Sequence, residues 1–153
     1  MTQVIQKRSG VTKAFLVTQE TFSLLYKNEG PLLHTAAREG RTALVRTLLA
    51  QGINPNLRGA VGCTALHEAA AKGRTGVMRI LLRHGADVKA KTVTGQTALH
   101  WAADVGHCNA VMLLLQAGAE DCPTIFGLTG EFIAMSQGHE EIALLLRHFR
   151  VIS

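Results

Sequence analysis

Apolar residues along the chain form two alternating helical stripes. Each stripe has the i, i+3, i+4 spacing of one helix face, and each is followed by a glycine that can end the helix. In the clearest unit the stripes and their glycines are Leu66, Ala69, Ala70 and Gly73, then Val77, Ile80, Leu81 and Gly85. The pattern therefore predicts an all-α fold made of antiparallel helix pairs and connectors.

The helix pair recurs at a fixed interval. Sliding residues 62–94 onto residues 95–127 matches 12 of 33 positions, which is the signature of a stacked array. Isolated helices shorter than about 12 residues are marginal in water, so the pairs must stack to be stable. Small side chains that let neighbouring helices approach closely recur at Ala36, Ala37, Ala69, Ala70, Ala102 and Ala103.

The repeated motif resembles the ankyrin repeat family. It reads Thr64-Ala65-Leu66-His67, Ala69-Ala70, Gly73, Leu81-Leu82 and Gly85-Ala86, then Thr97-Ala98-Leu99-His100, Ala102-Ala103, Gly106, Leu114-Leu115 and Gly118-Ala119. The resemblance covers about residues 29–149 and implies an ankyrin-repeat solenoid of stacked antiparallel helix pairs with hairpin-like connectors. We expect a domain over residues 29–153, with repeats at about 29–58, 59–91, 92–123 and 124–149.

The fourth unit departs from the pattern. It has Phe132 where the other units have histidine, and the stretch from Gly118 to Thr129 spans 11 residues where that from Gly85 to Thr97 spans 12. We expect the shorter connector to point its tip in a different direction.

Three histidines, His34, His67 and His100, lie 33 residues apart. Equivalent side chains of stacked helix pairs lie about 8 to 10 Å apart, whereas zinc holds each imidazole nitrogen at about 2.0 to 2.1 Å. These histidines therefore cannot share a metal, and we expect neither a metal nor a cofactor. The family resemblance implies that the threonine and histidine of the motif hydrogen-bond locally and link one repeat to the next.

Residues 1–28 lie outside the predicted repeats. Between Thr12 and Lys27, the apolar residues Phe15, Phe22 and either Leu25 or Tyr26 are spaced to lie on one helix face. We expect a helix that caps the first repeat, since an array needs its open end covered. The alternative is an amphipathic segment that docks on a membrane or a partner.

Charge divides the chain into a basic and an acidic part. Residues 38–91 hold ten Lys or Arg against three acids, a net of +7, and residues 92–153 hold two against six, a net of −4. Arginines of the second helices are expected on a solvated outer face. Nucleic acid is a weaker alternative partner, because aromatic residues for base stacking are few and distant.

The composition favours a monomeric protein of the cytoplasm or nucleus. The three cysteines are odd in number and widely spaced, so they suggest neither a disulfide framework nor a zinc ribbon. The longest apolar run, residues 110–115, is far below the roughly 18 residues that span a bilayer, and charged residues interrupt the N-terminus before a secretory signal develops. We expect no membrane interaction.

The sequence favours a binding protein over an enzyme. It contains no phosphate-binding loop, nucleophile elbow or zinc-protease motif, and Cys63 near His67 is interpreted as incidental. The family resemblance implies binding of another protein through a concave groove and the connector tips. The candidate contact residues are Arg38, Glu39, Arg58, Val61, Lys72, Lys91, Val93, Gln96, Asp104, Val105, Ile125 and Phe126.

Several alternatives stay open for this surface. Val93 and Ile125 either face solvent or tuck against neighbouring connectors, and Trp101 is expected to pack rather than bind. A small ankyrin-type inhibitor of a kinase or other enzyme is an alternative function. The first helix of the second repeat is full length, whereas the small cyclin-dependent-kinase inhibitors built from such repeats have it shortened. A nucleic-acid-associated protein that uses the basic central repeats is another.

Overall fold

The structure of the protein is a computed structural model that describes residues 32–152. These residues form eight α-helices and no strand: α1 Leu32–Glu39, α2 Thr42–Ala50, α3 Ala65–Ala71, α4 Thr75–Arg83, α5 Ala98–Val105, α6 Cys108–Gln116, α7 Gly130–Ser136 and α8 Glu140–Ile152. The predicted all-α fold is confirmed for the described residues. The helix expected between Thr12 and Lys27 lies outside them.

The helices pack in two rows. The first helices of the pairs (α1, α3, α5 and α7) contact one another in chain order, and so do the second helices (α2, α4, α6 and α8). Each second helix also packs on the first helix of its own pair. Leucines at equivalent positions form the core between the rows, and none is more than 1% exposed: Leu33, Leu48, Leu66, Leu81, Leu99 and Leu114.

Alanine makes the close packing of the first helices possible. Each of α1, α3 and α5 carries an Ala-Ala pair that is at most 1% exposed. A methyl group leaves little space between neighbouring helix backbones, so the short first helices gain contacts along most of their length. Stacking therefore supplies the stability that a helix of seven or eight residues lacks alone.

Threonine and histidine form a capping box at the start of α3 and of α5. The backbone N–H of Thr64 donates to Nδ1 of His67 at 3.1 Å, and that of Thr97 donates to Nδ1 of His100 at 3.0 Å. Because Nδ1 accepts a hydrogen bond, the ring proton of each neutral histidine sits on Nε2. The capping box thus leaves Nε2 as a donor for the next repeat.

The free ring nitrogen links successive repeats. Nε2 of His34 lies 3.1 Å from the carbonyl oxygen of Cys63, and Nε2 of His67 lies 3.1 Å from that of Gln96. The link is missing at the third junction. There, Nε2 of His100 is buried and makes no hydrogen bond of normal geometry within residues 32–152, although backbone groups near it favour the protonated ring.

A carboxylate stabilises the third junction instead. Asp121 accepts hydrogen bonds from the backbone N–H groups of Gly130 and Glu131, the first two residues of α7. A Cβ atom at Gly130 would come within 2.9 Å of this carboxylate. The glycine, which stands where α3 and α5 begin with alanine, therefore makes room for the capping side chain.

The short third connector keeps its tip in line with the others. The N–H of Thr124 donates to the carbonyl of Leu128 at 2.9 Å, just as Thr92 donates to Gln96 at 2.8 Å in the second connector. When the second and third connectors are aligned from their C-terminal ends, their tips match and the difference in length falls before the tip. Our expectation that this tip points in a different direction is therefore wrong, because the missing residue precedes the tip hairpin.

An ion cluster replaces a leucine pair at the C-terminal end of the array. Positions held by Leu99 and Leu115 in the third pair are held by Glu131 and Arg147 in the fourth. Arg147 donates to Glu131 at 2.9 Å, and Arg150 lies 3.4 Å from its second oxygen. The cluster therefore gives the outer side of the fourth helix pair a polar surface.

Glycines that end the first helices lie directly under a side chain of the next repeat. Gly106 has φ +88°, and a Cβ there would lie 2.6 Å from the ring of His139. His139 also has its Nε2 3.2 Å from the carbonyl oxygen of Asp104. Gly106 is thus required both by its backbone conformation and by the close approach of the imidazole.

A comparison of Gly106→Ala with Gly138→Ala tests this packing. Both glycines have left-handed φ values, +88° and +80°, but nothing lies within 4 Å of a Cβ at Gly138. The left-handed conformation alone should cost each variant about 1–2 kcal/mol, and displacement of His139 should add about 1–3 kcal/mol to Gly106→Ala. Equal urea midpoints for the two variants would contradict the proposed contact.

The buried histidines make stability depend on pH. Burial lowers the pKa of His34 and His100 from the ordinary value of 6.5, and that of His67 to about 4. Below pH 6.5 the unfolded chain binds more protons than the folded one. The stability that neutral His67 contributes is therefore present above pH 6.5 and lost as the pH falls towards 4, by about 3 kcal/mol in all.

We expect His67→Gln to flatten this dependence. Its free energy of unfolding, measured by urea titration from pH 7.5 to 4, should fall less steeply below pH 6.5 than that of the wild type. His148→Gln removes an exposed imidazole and should keep the wild-type slope. If the free energy of unfolding of His67→Gln falls as steeply with pH as that of His148→Gln, then His67 is not the source of the acid sensitivity.

Candidate protein-binding surface

The tips of the three connectors form a hydrogen-bonded row. The N–H of Val93 donates to the carbonyl of Val61 at 3.0 Å, and the N–H of Ile125 donates to that of Thr94 at 3.1 Å. These two bonds join equivalent positions of successive connectors. Backbone contacts therefore hold the row together, and its side chains are left out of the core.

The apolar side chains of this row face solvent. Their exposed fractions are 60% for Val61, 69% for Val93, 67% for Ile125 and 70% for Phe126. Of the two alternatives for Val93 and Ile125, the structure shows exposure rather than packing against neighbouring connectors. We call these four residues the tip row.

Two basic residues border the tip row. The guanidinium of Arg58 donates from Nη1 to the carbonyls of Gly62 and Lys91, at 2.9 and 2.5 Å. Arg58 thus links the first connector to the second by hydrogen bonds. Its side chain is also exposed. The side chain of Lys91 is exposed and forms no salt bridge with residues 32–152.

Val61 has a strained backbone. Its φ of 52° and ψ of 17° place it in the left-handed region, and no other non-glycine residue in the described range has a positive φ. A β-branched residue there is an outlier, which costs about 1–2 kcal/mol relative to an ordinary conformation. Strained residues of this kind cluster at functional sites, which is consistent with Val61 being a contact residue.

The charged residues predicted at the first-helix edge are mostly paired. Arg38 binds Glu68 through two hydrogen bonds of 2.9 Å, which hold the pKa of the Glu68 carboxyl below its ordinary value. Glu39 pairs with Arg41 at 2.6 Å. Lys72 differs from them, since it is exposed and forms no salt bridge within residues 32–152.

A cleft of about 430 Å³ opens beside α5 and α7, the first helices of the third and fourth pairs. It is lined by Ala71, Gln96, His100, Trp101, Asp104, Val105, Leu128, Phe132, Ile133 and Ser136. Three of these, Gln96, Asp104 and Val105, are among the predicted contact residues. Most of the other lining side chains are apolar, so the cleft could hold an apolar side chain of a partner.

Trp101 is one of the residues that line this cleft. Its indole Nε1 donates to the side-chain oxygen of Gln96 at 2.9 Å, and its ring meets the ring of His67 edge-on at 5.2 Å between centroids. The predicted packing of Trp101 is therefore observed, but the residue also lines an open cleft. Gln96 is half-buried and acts by holding the indole.

Apart from Val105, the apolar members of the cleft are not among the contact residues predicted from the sequence. Glu68, Trp101 and Ile133 occupy the same position in successive repeats, as do Cys63, Gln96 and Leu128. Both series change from polar or small residues to large apolar ones towards the C-terminus. Comparison of equivalent positions, rather than of neighbouring residues, would have revealed the trend.

Cys63 and His67 do not form a nucleophilic pair. Both ring nitrogens of His67 have other partners, in Thr64 and Gln96, and burial raises the pKa of the Cys63 thiol. Within residues 32–152 no three His, Cys, Asp or Glu side chains cluster closely enough to hold a metal ion. Within the same residues no helix has the length and apolar character to cross a bilayer.

The paired helices and the row of connectors define a solenoid of helical repeats. A sequence model described as "Ankyrin repeats (3 copies)" matches residues 7–92 and residues 33–125. The chain belongs to the ankyrin repeat family, and its fold is an ankyrin solenoid. No curated protein matched the chain. The first matched range includes residues 7–28, which we had predicted to lie outside the repeats.

Membership of this family defines the general role of the chain. Ankyrin repeats are generally protein–protein interaction modules, and domains built from them are typically non-catalytic. The fold alone does not identify the partner. The tip row and the cleft are the surface features that distinguish this chain.

Val61→Asn tests whether the strain in the first tip is real. Asparagine tolerates the left-handed region better than valine, so the variant should raise the free energy of unfolding by about 1 kcal/mol. Val93→Asn changes an equally exposed tip valine that has an ordinary φ, and should give no such gain. Equal urea midpoints for the two variants would rule out strain at Val61.

Proposed function

We propose that this protein is a non-enzymatic adaptor that binds a partner protein through the tip row and the adjacent cleft. The observation that carries the proposal is the row of four large apolar side chains that the fold leaves exposed. Contiguous exposed apolar groups on a soluble domain mark interaction sites. The backbone bonds between connectors hold these groups in fixed positions before binding, which lowers the entropy cost of association.

The cleft beside Trp101 supports a second anchoring point. Its volume of about 430 Å³ is large enough for one or two partner side chains and lies within the range of about 300–1,000 Å³ that is typical of ligand pockets. Aromatic residues are also enriched among the residues that contribute most to binding energy. Trp101 is held in place by Gln96, so its exposed surface is presented in one orientation.

Charge favours a partner with acidic residues near the second repeat. Lys72 and Lys91 are exposed there and form no salt bridge within the described part of the chain. Cations on the rim of an interface mainly accelerate association with an acidic partner. A monomeric state and a cytoplasmic or nuclear location stay predictions.

Phe126→Ala is the central test. The side chain is 70% exposed, so its removal should change the free energy of unfolding by no more than about 0.5 kcal/mol. If Phe126 is an anchor, the affinity for a partner should fall by about 2 kcal/mol, or roughly 30-fold. Partners are captured on the intact chain and identified by mass spectrometry, and the affinity of each purified partner is then measured.

The matched control is Val151→Ala. Val151 is equally apolar and 80% exposed, but it lies near the end of α8, away from the connectors. This variant should leave affinity unchanged. A partner that binds Phe126→Ala as tightly as the wild type would show that the tip row is not the contact surface.

A further inference from the structure

The second helices carry a stripe of exposed residues that belong neither to the tip row nor to the cleft. Arg46, Arg79, Met112 and Leu144 occupy the same position in α2, α4, α6 and α8, at intervals of 33, 33 and 32 residues. All four are exposed. Because the second helices contact one another in chain order, these residues lie on successive helices in one line, which we call the outer stripe.

The first half of the outer stripe is basic. Arg83 lies one turn after Arg79 on α4 and is also exposed. Neither α2 nor α4 contains an acidic residue. Arg46, Arg79 and Arg83 form no salt bridge within residues 32–152, whereas Arg38, Arg41, Arg147 and Arg150 all do. Among residues 32–152, these three charges therefore have no acidic partner.

The second half of the outer stripe is apolar and not required by the core. Met112 and Leu144 are 42% and 62% exposed, while the leucines two residues further on, Leu114 and Leu146, are at most 1% exposed. The inward side of α6 and α8 is thus already filled. Arginine at the equivalent positions of α2 and α4 shows that this place in the repeat accepts a charged residue.

We propose that the outer stripe is a second docking surface, which takes an amphipathic helix of a partner protein. The helix would carry acidic residues at one end, opposite Arg46, Arg79 and Arg83, and apolar residues at the other, opposite Met112 and Leu144. This surface is separate from the tip row and cleft, so the proposal stands or falls independently of the function proposed above.

The spacing of the stripe favours a helix as the bound element. Packed helices lie about 8–10 Å apart, and residues i and i+7 on one face of an α-helix lie about 10.5 Å apart along its axis. Side chains seven residues apart on a bound helix could therefore each contact one second helix of the array. In an extended strand, side chains of the same face recur about every 6.7 Å, which does not match the spacing of the stripe.

The test uses two synthetic helical peptides of about 25 residues, long enough to span four helices. In the block peptide, one face carries glutamates in the first half and leucines in the second. The scrambled peptide has the same composition and helical propensity, with the glutamates and leucines of that face interspersed. Binding of each labelled peptide to the full chain is measured by fluorescence anisotropy, and circular dichroism reports whether the block peptide gains helix.

We expect the block peptide to bind more tightly than the scrambled peptide and to gain helix on binding. Arg79→Glu and Leu144→Glu should each weaken this binding by at least about tenfold. Both residues are exposed, so neither change should shift the thermal midpoint. The matched control is Lys91→Glu, which makes the same charge change beside the tip row and should leave the block peptide bound.

Three outcomes would overturn the proposal. Equal binding of the two peptides, or no binding of either, would show that the order of charge and apolar surface is not recognised. Unchanged binding by Leu144→Glu would remove the apolar half from the site. Tighter binding of duplex DNA or of phosphatidylserine vesicles than of the block peptide, lost in Arg79→Glu, would assign the arginines to a polyanion instead.

Discussion

The close contact between successive first helices is the interaction on which the rest of the structure depends. Helices of seven or eight residues are not stable alone, and the alanine pairs of α1, α3 and α5 let them pack closely along most of their length. The contact brings the ring of His67 within hydrogen-bonding distance of the Gln96 carbonyl. It also places each connector beside the next, so that the tips pair through their backbones. The exposed tip row is therefore a consequence of the alanine contacts in the core.

The C-terminal junction shows that this contact can be maintained by different chemistry. The histidine link is absent there, and Asp121 caps α7 directly. Two buried leucine positions become Glu131 and Arg147, which keep a polar pair at the end of the array. Phe132 stands at the position of the buried His67 and His100 yet is 59% exposed, since no further helix covers it within the described residues. Its ring lines the cleft instead.

The sequence predicted what depends on a repeated pattern. The helix pairs, the terminating glycines and the structural role of the histidines all follow from residues that recur at one interval. The tip valines were identified as candidates, but their exposure was undecided, because periodicity does not describe how connectors pair. The strain at Val61 and the indole–amide bond between Trp101 and Gln96 involve single residues without a counterpart in other repeats. The Asp121 cap likewise combines the shortened third connector with Gly130, and neither feature alone predicts it.

The same polarity runs along both faces of the array. Along the first helices and connectors the exposed lysines Lys72 and Lys91 come before the cleft lined by Trp101. Along the second helices Arg46 and Arg79 come before Met112 and Leu144. The core leucines recur at equivalent positions in the first three repeats, so the core does not account for this order. A partner with separate acidic and apolar parts would therefore meet either face in one preferred direction, with its acidic part towards α1. The gradient of charge, rather than the fold, distinguishes the two ends of an otherwise repetitive structure.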